Sequence, residues 1–385
     1  MDVKPYDHQI KFWNKNPDRY LLAWQPRLGK TIAALRWAKT PPLIICPKFL
    51  VAQWEEECRK EGIKAYVIGK ERFRIDHKTF PKYETVIVDE AHTLAGYGSQ
   101  VSKALLWYLT KHNVSRITLL SGTPYTASPW CVFLYGQFLR HWGKDKYIRF
   151  RNAFFYEQYF GRKTVWLPRT DQKTKDKLIK LLQSLGETLA TDEVFDLPDT
   201  MTIPVYFHET KEQAKAKAED ETIHHLARFS ALHQIEAGPG MKDEWLKDLC
   251  EKNPKVMIVC RYTDQIARLK EVLKDHNPIV LEGATKDKKS ITEEAERSEK
   301  CTFVVNGAIA EGWGVPSFPI MVFASIDFSY IKFFQMSQRN KGPKQDQKTV
   351  DYVLLIKNGV DEDIWKCLEK KEDFSVALFA KRSIL

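Results

Sequence analysis

QPRLGKT, residues 25–31, ends as a phosphate-binding loop ends, in Gly29, Lys30 and Thr31. The pattern G-x-x-x-x-G-K-S/T asks for a glycine at position 24, where this chain carries Trp24. Context decides between the two readings. The apolar run YLLAW from Tyr20 feeds the loop as a strand. Thr31 to Lys39 follows as a helix, with Ala33, Ala34, Trp37 and Ala38 at helical spacing before Pro41 and Pro42 end it. A strand, a loop and a helix in that order point backbone N–H groups and the helix N-terminus at a phosphate. Gly29 lets the backbone approach phosphate oxygens, Lys30 reaches the β- and γ-phosphates, and the Thr31 hydroxyl ligates Mg²⁺. Position 24 turns the chain without touching phosphate, so its glycine is dispensable.

VIVDEAH, Val86 to His92, supplies the second half of such a site. It reads as a buried strand delivering two acids at its C-terminal end, the edge where open α/β sheets bind ligands. Asp89 is expected to hold Mg²⁺ through its water shell, and Glu90 to orient and deprotonate an attacking water. Two carboxylates ending an apolar strand are costly without a cationic partner, and a metal is the natural one.

The same rhythm extends along both halves. LIIC from Leu43, AYVI from Ala65, TVIVD from Thr85 and ITLLS from Ile117 alternate with helical patterns, which predicts a parallel sheet covered on both faces. Between about His141 and Gln213 the rhythm stops, aromatic and basic residues mix, and Pro198 and Pro204 interrupt. A helical insertion and the domain boundary are expected there. KVMIVC from Lys255, PIVLEG from Pro278, TFVVN from Thr302, IMVFA from Ile320 and DYVLLI from Asp351 then predict a second α/β domain.

The chain has 385 residues, a net charge of +10 and a sequence pI of about 9.0, which suits a polyanionic partner. Seven cysteines without a C-x-x-C pair read as reduced, mostly buried thiols. No apolar run reaches the roughly 18 residues of a membrane helix, and the N-terminus has no apolar signal stretch. A cytoplasmic protein without membrane contact is expected.

These motifs, in this order, resemble a superfamily 2 DEAH-box helicase or translocase, closest to the Swi/Snf-like branch and to its compact, phage-encoded forms. KPYDHQ looks like the adenine-recognition motif, with Gln9 reading the base. LIICPKFLVAQWEEE looks like motif Ia, placing Pro47 and Lys48 near a nucleic-acid backbone, and LLSGTP looks like motif III. In the second half VMIVCRYTDQIARL looks like motif IV, NGAIAEGWGV like motif V with Glu311 and Gly312 matching, and QMSQRNKGPKQ like motif VI.

The resemblance implies an α/β chain of two RecA-like parallel-sheet domains in tandem: residues 1–198, with the insertion at about 141–198, and residues 199–385. ATP would be bound by Gln9, Arg27, Leu28, Gly29, Lys30, Thr31 and Gln335. Lys30, Asp89, Glu90 and Arg339 would be catalytic, with Mg²⁺ held by Thr31 and by Asp89 through water. His92, Ser121, Gly122, Thr123, Glu311 and Gly312 would couple the nucleotide to DNA, single- or double-stranded, contacted by Pro47, Lys48 and Arg261. A monomer is expected, in the host cytoplasm if the source is viral.

Two departures qualify the match. Arg27 stands where this family usually has glycine, and Gly342 stands where motif VI asks for a second arginine, with Lys341 or Lys344 the nearest substitutes. That second departure supports an alternative, a nucleotide-regulated DNA clamp with weak hydrolysis, or a motor awaiting activation by a protein partner; a third reading is the motor subunit of a restriction or nuclease complex. Lys144 to Arg169 interleaves aromatic and basic residues; it reads equally as a surface that stacks bases or grips a duplex and as the core of a protrusion, built on Phe150, Phe154, Phe155, Tyr159 and Phe160.

Overall fold

The computed structural model describes residues 4–370, except 95–97, 126–127, 161–162, 170, 197, 221–224, 286, 310–312, 343–344 and 346. The chain divides into two units, Met1–Phe195 and Asp196–Leu385. In the first unit the strands are β1 (Arg19–Trp24), β2 (Leu43–Cys46), β3 (Tyr66–Gly69), β4 (Thr85–Val88), β5 (Arg116–Leu120), a hairpin of β6 (Phe155–Phe160) and β7 (Lys163–Pro168), and β8 (Gly186–Leu189). Six of them form one sheet in the order β3-β2-β4-β5-β1-β8, parallel throughout.

Alternate residues of these strands enter opposite cores. Leu21, Ala23, Ile45, Val86, Val88 and Leu119 pack on one face, while Leu22, Trp24, Ile44, Ile87 and Leu120 pack on the other. Burial on both sides is why the strands read as unbroken apolar runs.

The second unit repeats the plan with β9 (Thr200–Phe207), β10 (Lys255–Cys260), β11 (Ile279–Leu281), β12 (Cys301–Asn306), β13 (Ile320–Phe323) and β14 (Thr349–Ile356). Its parallel sheet runs β11-β12-β10-β13-β14-β9, again between two cores.

Four strands lie where the sequence pattern predicts a break. β9 contains Pro204, paired opposite Val353. It is an edge strand, where a residue without an N–H costs no ladder bond on the open side. β8, GETL, is likewise an edge strand, short and partly exposed beside β1. The segment expected to be helical holds the helices Tyr147–Phe154 and Gln172–Leu185, with the antiparallel hairpin β6–β7 between them. All seven cysteines are free and six are buried. Among the described residues no helix is long and apolar enough to cross a membrane.

An ionic cluster fixes the helices of the second unit. The Asp361 carboxylate meets Lys242 Nζ at 2.5 Å and His233 Nε2 at 2.9 Å, all three almost fully buried. The Glu236 carboxylate, also buried, accepts the backbone N–H groups of Val360 and Asp361 at the start of the helix Val360–Glu369, and an ion pair from Lys217 at 2.8 Å. Burial alone would raise the Asp361 carboxyl, but the charge of Lys242 and the contact with His233 pull it down to about 2.

A carboxyl held below its unfolded value contributes stability above about pH 4, and that contribution is lost as pH falls toward the folded value. Asp361→Asn is therefore expected to cost about 3–5 kcal/mol near neutral pH, because Lys242 is left buried without its counter-charge. The difference from wild type should narrow as pH falls from about 4 toward 2. Urea melts at several pH values check both; equal midpoints near neutrality would refute the assignment.

Candidate nucleotide-binding site

β4, β5 and β1 are neighbours in the first sheet, so the turns that follow them meet at one edge. Those turns are DEAH after β4, SGT after β5 and the QPRLGKT loop after β1.

The loop is shaped by two left-handed residues, Arg27 at φ 68° and Gly29 at φ 72°, before the helix Lys30–Trp37 begins. Gly29 is required twice over. Its φ favours glycine, and a Cβ there would lie 2.4 Å from Gln9 Nε2. The helix Asp7–Lys15 clips the loop from outside: His8 Nε2 meets Leu28 O at 2.8 Å, Gln9 Nε2 donates to Gly29 O at 2.9 Å, and Trp13 Nε1 donates to Ala33 O at 2.9 Å.

Gln9, expected to read a base, is 3% exposed and also accepts the Tyr6 N–H through Oε1. Both ends of its amide thus hold the loop and the start of its own helix. Lys30 Nζ donates to Trp24 O at 2.7 Å and Gln25 O at 3.1 Å, so the ammonium lies inside the loop curve. Thr31 occupies the first helical turn, half-buried.

Asp89 is buried at the end of β4. Its Oδ2 accepts Trp54 Nε1 at 2.8 Å and its Oδ1 accepts the Glu90 N–H at 2.9 Å. Burial, and then the neighbouring Glu90 charge, push its carboxyl up to about 6, against the Trp54 hydrogen bond and the Lys30 charge.

Glu90 adopts φ 45° and places Oε2 3.2 Å from His92 Nδ1, which in turn lies 3.1 Å from Ser121 Oγ. Ser121 Oγ accepts the Thr123 N–H at 3.2 Å. Gly122 closes the circle: a Cβ there would touch Pro26 Cδ at 3.3 Å and Lys30 Nζ at 3.7 Å. The phosphate-type loop, the acidic turn and the SGT turn are therefore one packed constellation.

The donor set fits a magnesium ion carried by a nucleotide. Mg²⁺ takes one or two protein oxygens and completes its shell with phosphate and water. Thr31 and Asp89 offer that number, and the raised Asp89 carboxyl marks a position short of positive charge. Among the described residues no group of three or more His, Cys, Asp and Glu gathers as an all-protein metal site, which such an ion does not need.

The remaining predicted residues lie as follows. Pro47 and Lys48 follow β2, with Lys48 exposed and its Cα 3.3 Å from where a Cβ on Gly69 would stand. Arg261 follows β10 and is engaged within its unit, paired with Asp327 at 2.6 Å and stacked over Phe328 at 4.1 Å. Gln335 is buried in the helix Tyr330–Ser337. Arg339, also buried, donates to Gln335 O at 2.9 Å and Trp313 O at 2.6 Å.

Gly342 has φ 154°, a backbone that L side chains rarely adopt, which accounts for the absence of an arginine there. Lys341, a substitute for that arginine by sequence, pairs with buried Asp351 at 3.0 Å. Glu311, Gly312 and Lys344 lie outside the described residues. Trp54 and His8 were not legible as site residues: each acts through a partner at least 20 positions away, with no local pattern to announce it.

No protein-family profile matches the sequence, and no curated protein matches it. Solved structures do resemble it. The SWI2/SNF2 ATPase core of Sulfolobus solfataricus in complex with dsDNA aligns at 19% identity over 98% of this chain and 94% of its own, with a TM-score of 0.44. The Hef helicase domain of Pyrococcus furiosus aligns at 13% identity over 94% of this chain and 97% of its own, with a TM-score of 0.51. At such identities the likeness is one of fold: two parallel sheets with flanking helices, matching tandem RecA-like domains.

Gly29→Ala is expected to force Gln9 off the loop and to strain φ by about 1–3 kcal/mol. Nucleotide affinity, measured by titration with a fluorescent ATP analogue, should fall roughly tenfold or more while the circular dichroism spectrum holds. Unchanged affinity would mean that the loop does not receive phosphate.

Proposed function

We propose that this chain is a nucleic-acid-dependent ATPase of the helicase or translocase kind, acting on DNA. One observation carries the reading: Lys30 and Thr31 of the loop, Asp89 and Glu90 of the acidic turn, and the His92–Ser121 contact share one edge of one sheet. The net charge of +10 suits the polyanion.

In this reading Lys30 exchanges the carbonyls of Trp24 and Gln25 for phosphate oxygens, and the N-terminus of its helix faces the same anion. Mg²⁺, held by Thr31 and, through water, by Asp89 when the nucleotide is bound, would offset charge on the phosphates. Glu90 takes the proton of the attacking water. His92 touches both Glu90 and Ser121, so a change of charge at the carboxylate alters the turn Ser121–Thr123, which we assign as the coupling element. Arg339 is assigned to balancing charge on the transferred phosphoryl group. Pro47, Lys48 and Arg261 are assigned to the nucleic-acid backbone; for Arg261 that role requires exchange of Asp327 for phosphate.

A second reading, a nucleotide-regulated clamp with slow hydrolysis, is favoured by Gly342 and by the Lys341–Asp351 pair, which leave motif VI with Arg339 alone among the described residues.

Steady-state ATPase rates without polymer and with single-stranded, duplex and forked DNA and RNA, at one low salt concentration, separate the two. Strong stimulation establishes the motor and its best track; ATP binding without stimulation favours the clamp. Lys30→Ala should abolish stimulated turnover. Glu90→Gln should keep ATP and DNA binding while turnover falls by roughly 10²–10⁴-fold. If Glu90→Gln turns over normally, another group is the base.

A further inference from the structure

The segment 141–185 contains eleven Lys and Arg against four Asp and Glu, a net +7 out of the +10 of the whole chain. Its inner side is ordinary core: Phe150, Phe154 and Phe155 are buried, with Phe155 and Phe150 against Trp130 and with Leu178 and Leu182 in the same cluster. Tyr159 divides from them. It shares the hairpin face of Phe155, Glu157, Thr164 and Trp166, since Glu157 pairs opposite Trp166 and Tyr159 opposite Thr164, but it lies farther out along the hairpin and is 69% exposed.

The helix Tyr147–Phe154 overhangs this face. Between them lies an open trough of about 670 Å³, lined by Arg151, Asn152, Glu157, Thr164, Trp166 and Arg169. The Arg151 guanidinium sits over the Trp166 ring at 4.0 Å, forming a cationic aromatic tier, and Arg169 is anchored through Nε to Phe155 O at 3.0 Å.

We propose that this trough is a second nucleic-acid site on the first unit, and that it takes unpaired nucleotides. The proposal rests on the reading of nucleic acid as the partner. Bases stack against the Arg151–Trp166 tier and the exposed Tyr159 ring, and phosphates meet the Arg151 and Arg169 charges. Glu157, paired opposite Trp166, is a hydrogen-bond acceptor for base amino groups and repels phosphate, which confines the backbone to the arginine side. A duplex keeps its base faces stacked inside and can use only the charge. The trough therefore discriminates by strandedness, which a plain basic surface does not.

The test is fluorescence anisotropy of the full chain, at low salt and without nucleotide. The probes are a short mixed-sequence DNA strand, its RNA counterpart and a blunt DNA duplex. Trp166→Ala and Arg151→Gln are each expected to weaken strand binding by roughly tenfold or more, with a much smaller loss on the duplex, and Trp166→Phe should restore most of it. Trp166 also packs on the core, so the exposed Tyr159→Ala is read alongside and should lower strand affinity several-fold.

Loss confined to the RNA strand upholds the site and names RNA as its source. Equal losses on strand and duplex overturn the proposal in favour of a charged surface, and affinities unmoved by all these variants overturn it outright. Strand binding that depends on Trp166 in a protein whose ATPase no polymer stimulates would sink the motor reading and leave the trough standing.

Discussion

The burial of Asp89 at the end of β4 is the constraint around which the first unit is arranged. A carboxylate carried into the sheet edge by an apolar strand must be met by donors, and three elements supply them. The helix after β2 brings the Trp54 N–H, the backbone turns at Glu90 to return its own N–H, and the loop after β1 brings the Lys30 charge. That turn puts Glu90 at φ 45° and aims its side chain at His92, which ties in the turn after β5. The strand order β4-β5-β1 makes all of this possible, because it sets these turns side by side.

The two units treat a buried acid differently. Asp361 in the second unit has Lys242 and His233 in direct contact, and together they overcome burial and hold its carboxyl at about 2. Among the described residues Asp89 is in contact with neutral donors, the Trp54 and Glu90 N–H groups, and its carboxyl rises to about 6. The first is a finished structural joint, saturated by its own chain. The second is short of positive charge, the condition that suits a carboxylate to an incoming cation.

How much could be read in advance follows from how far each signal reaches along the chain. Interior strands such as LIIC and the VMIVC of β10 announce themselves because both faces are buried and these runs are apolar throughout. The edge strands do not: β8 is half polar, and β9 carries Pro204, which an edge tolerates and a sequence pattern reads as a break. Lys30, Asp89 and Glu90 were legible because their placement follows from a few neighbouring residues. Arg261 was legible only as a cation; its partners Asp327 and Phe328 come from the end of another strand. Gln9 lies against the loop with its amide engaged by Gly29 and Tyr6, and the crowding at Gly29 that engages it is a tertiary fact that no local pattern carries.

Trp24 shows how a departure from a motif is absorbed. The ring is fully buried, edge-on to His8 and Phe12, and its Nε1 donates to Glu187 of β8 at 2.8 Å. What it presents to the loop is its backbone carbonyl, which accepts Lys30 Nζ. A side chain is harmless at this position because it leaves the loop on the core side. The same residue thereby fastens the edge strand to the sheet and, through His8 on the Leu28 carbonyl, braces the loop from behind. The left-handed turns that glycine would ease are made later, at Arg27 and Gly29, and only at Gly29 is there no room for a Cβ among the neighbours. The loop thus needs its second glycine for space and can give up its first, because the turn has moved along the chain.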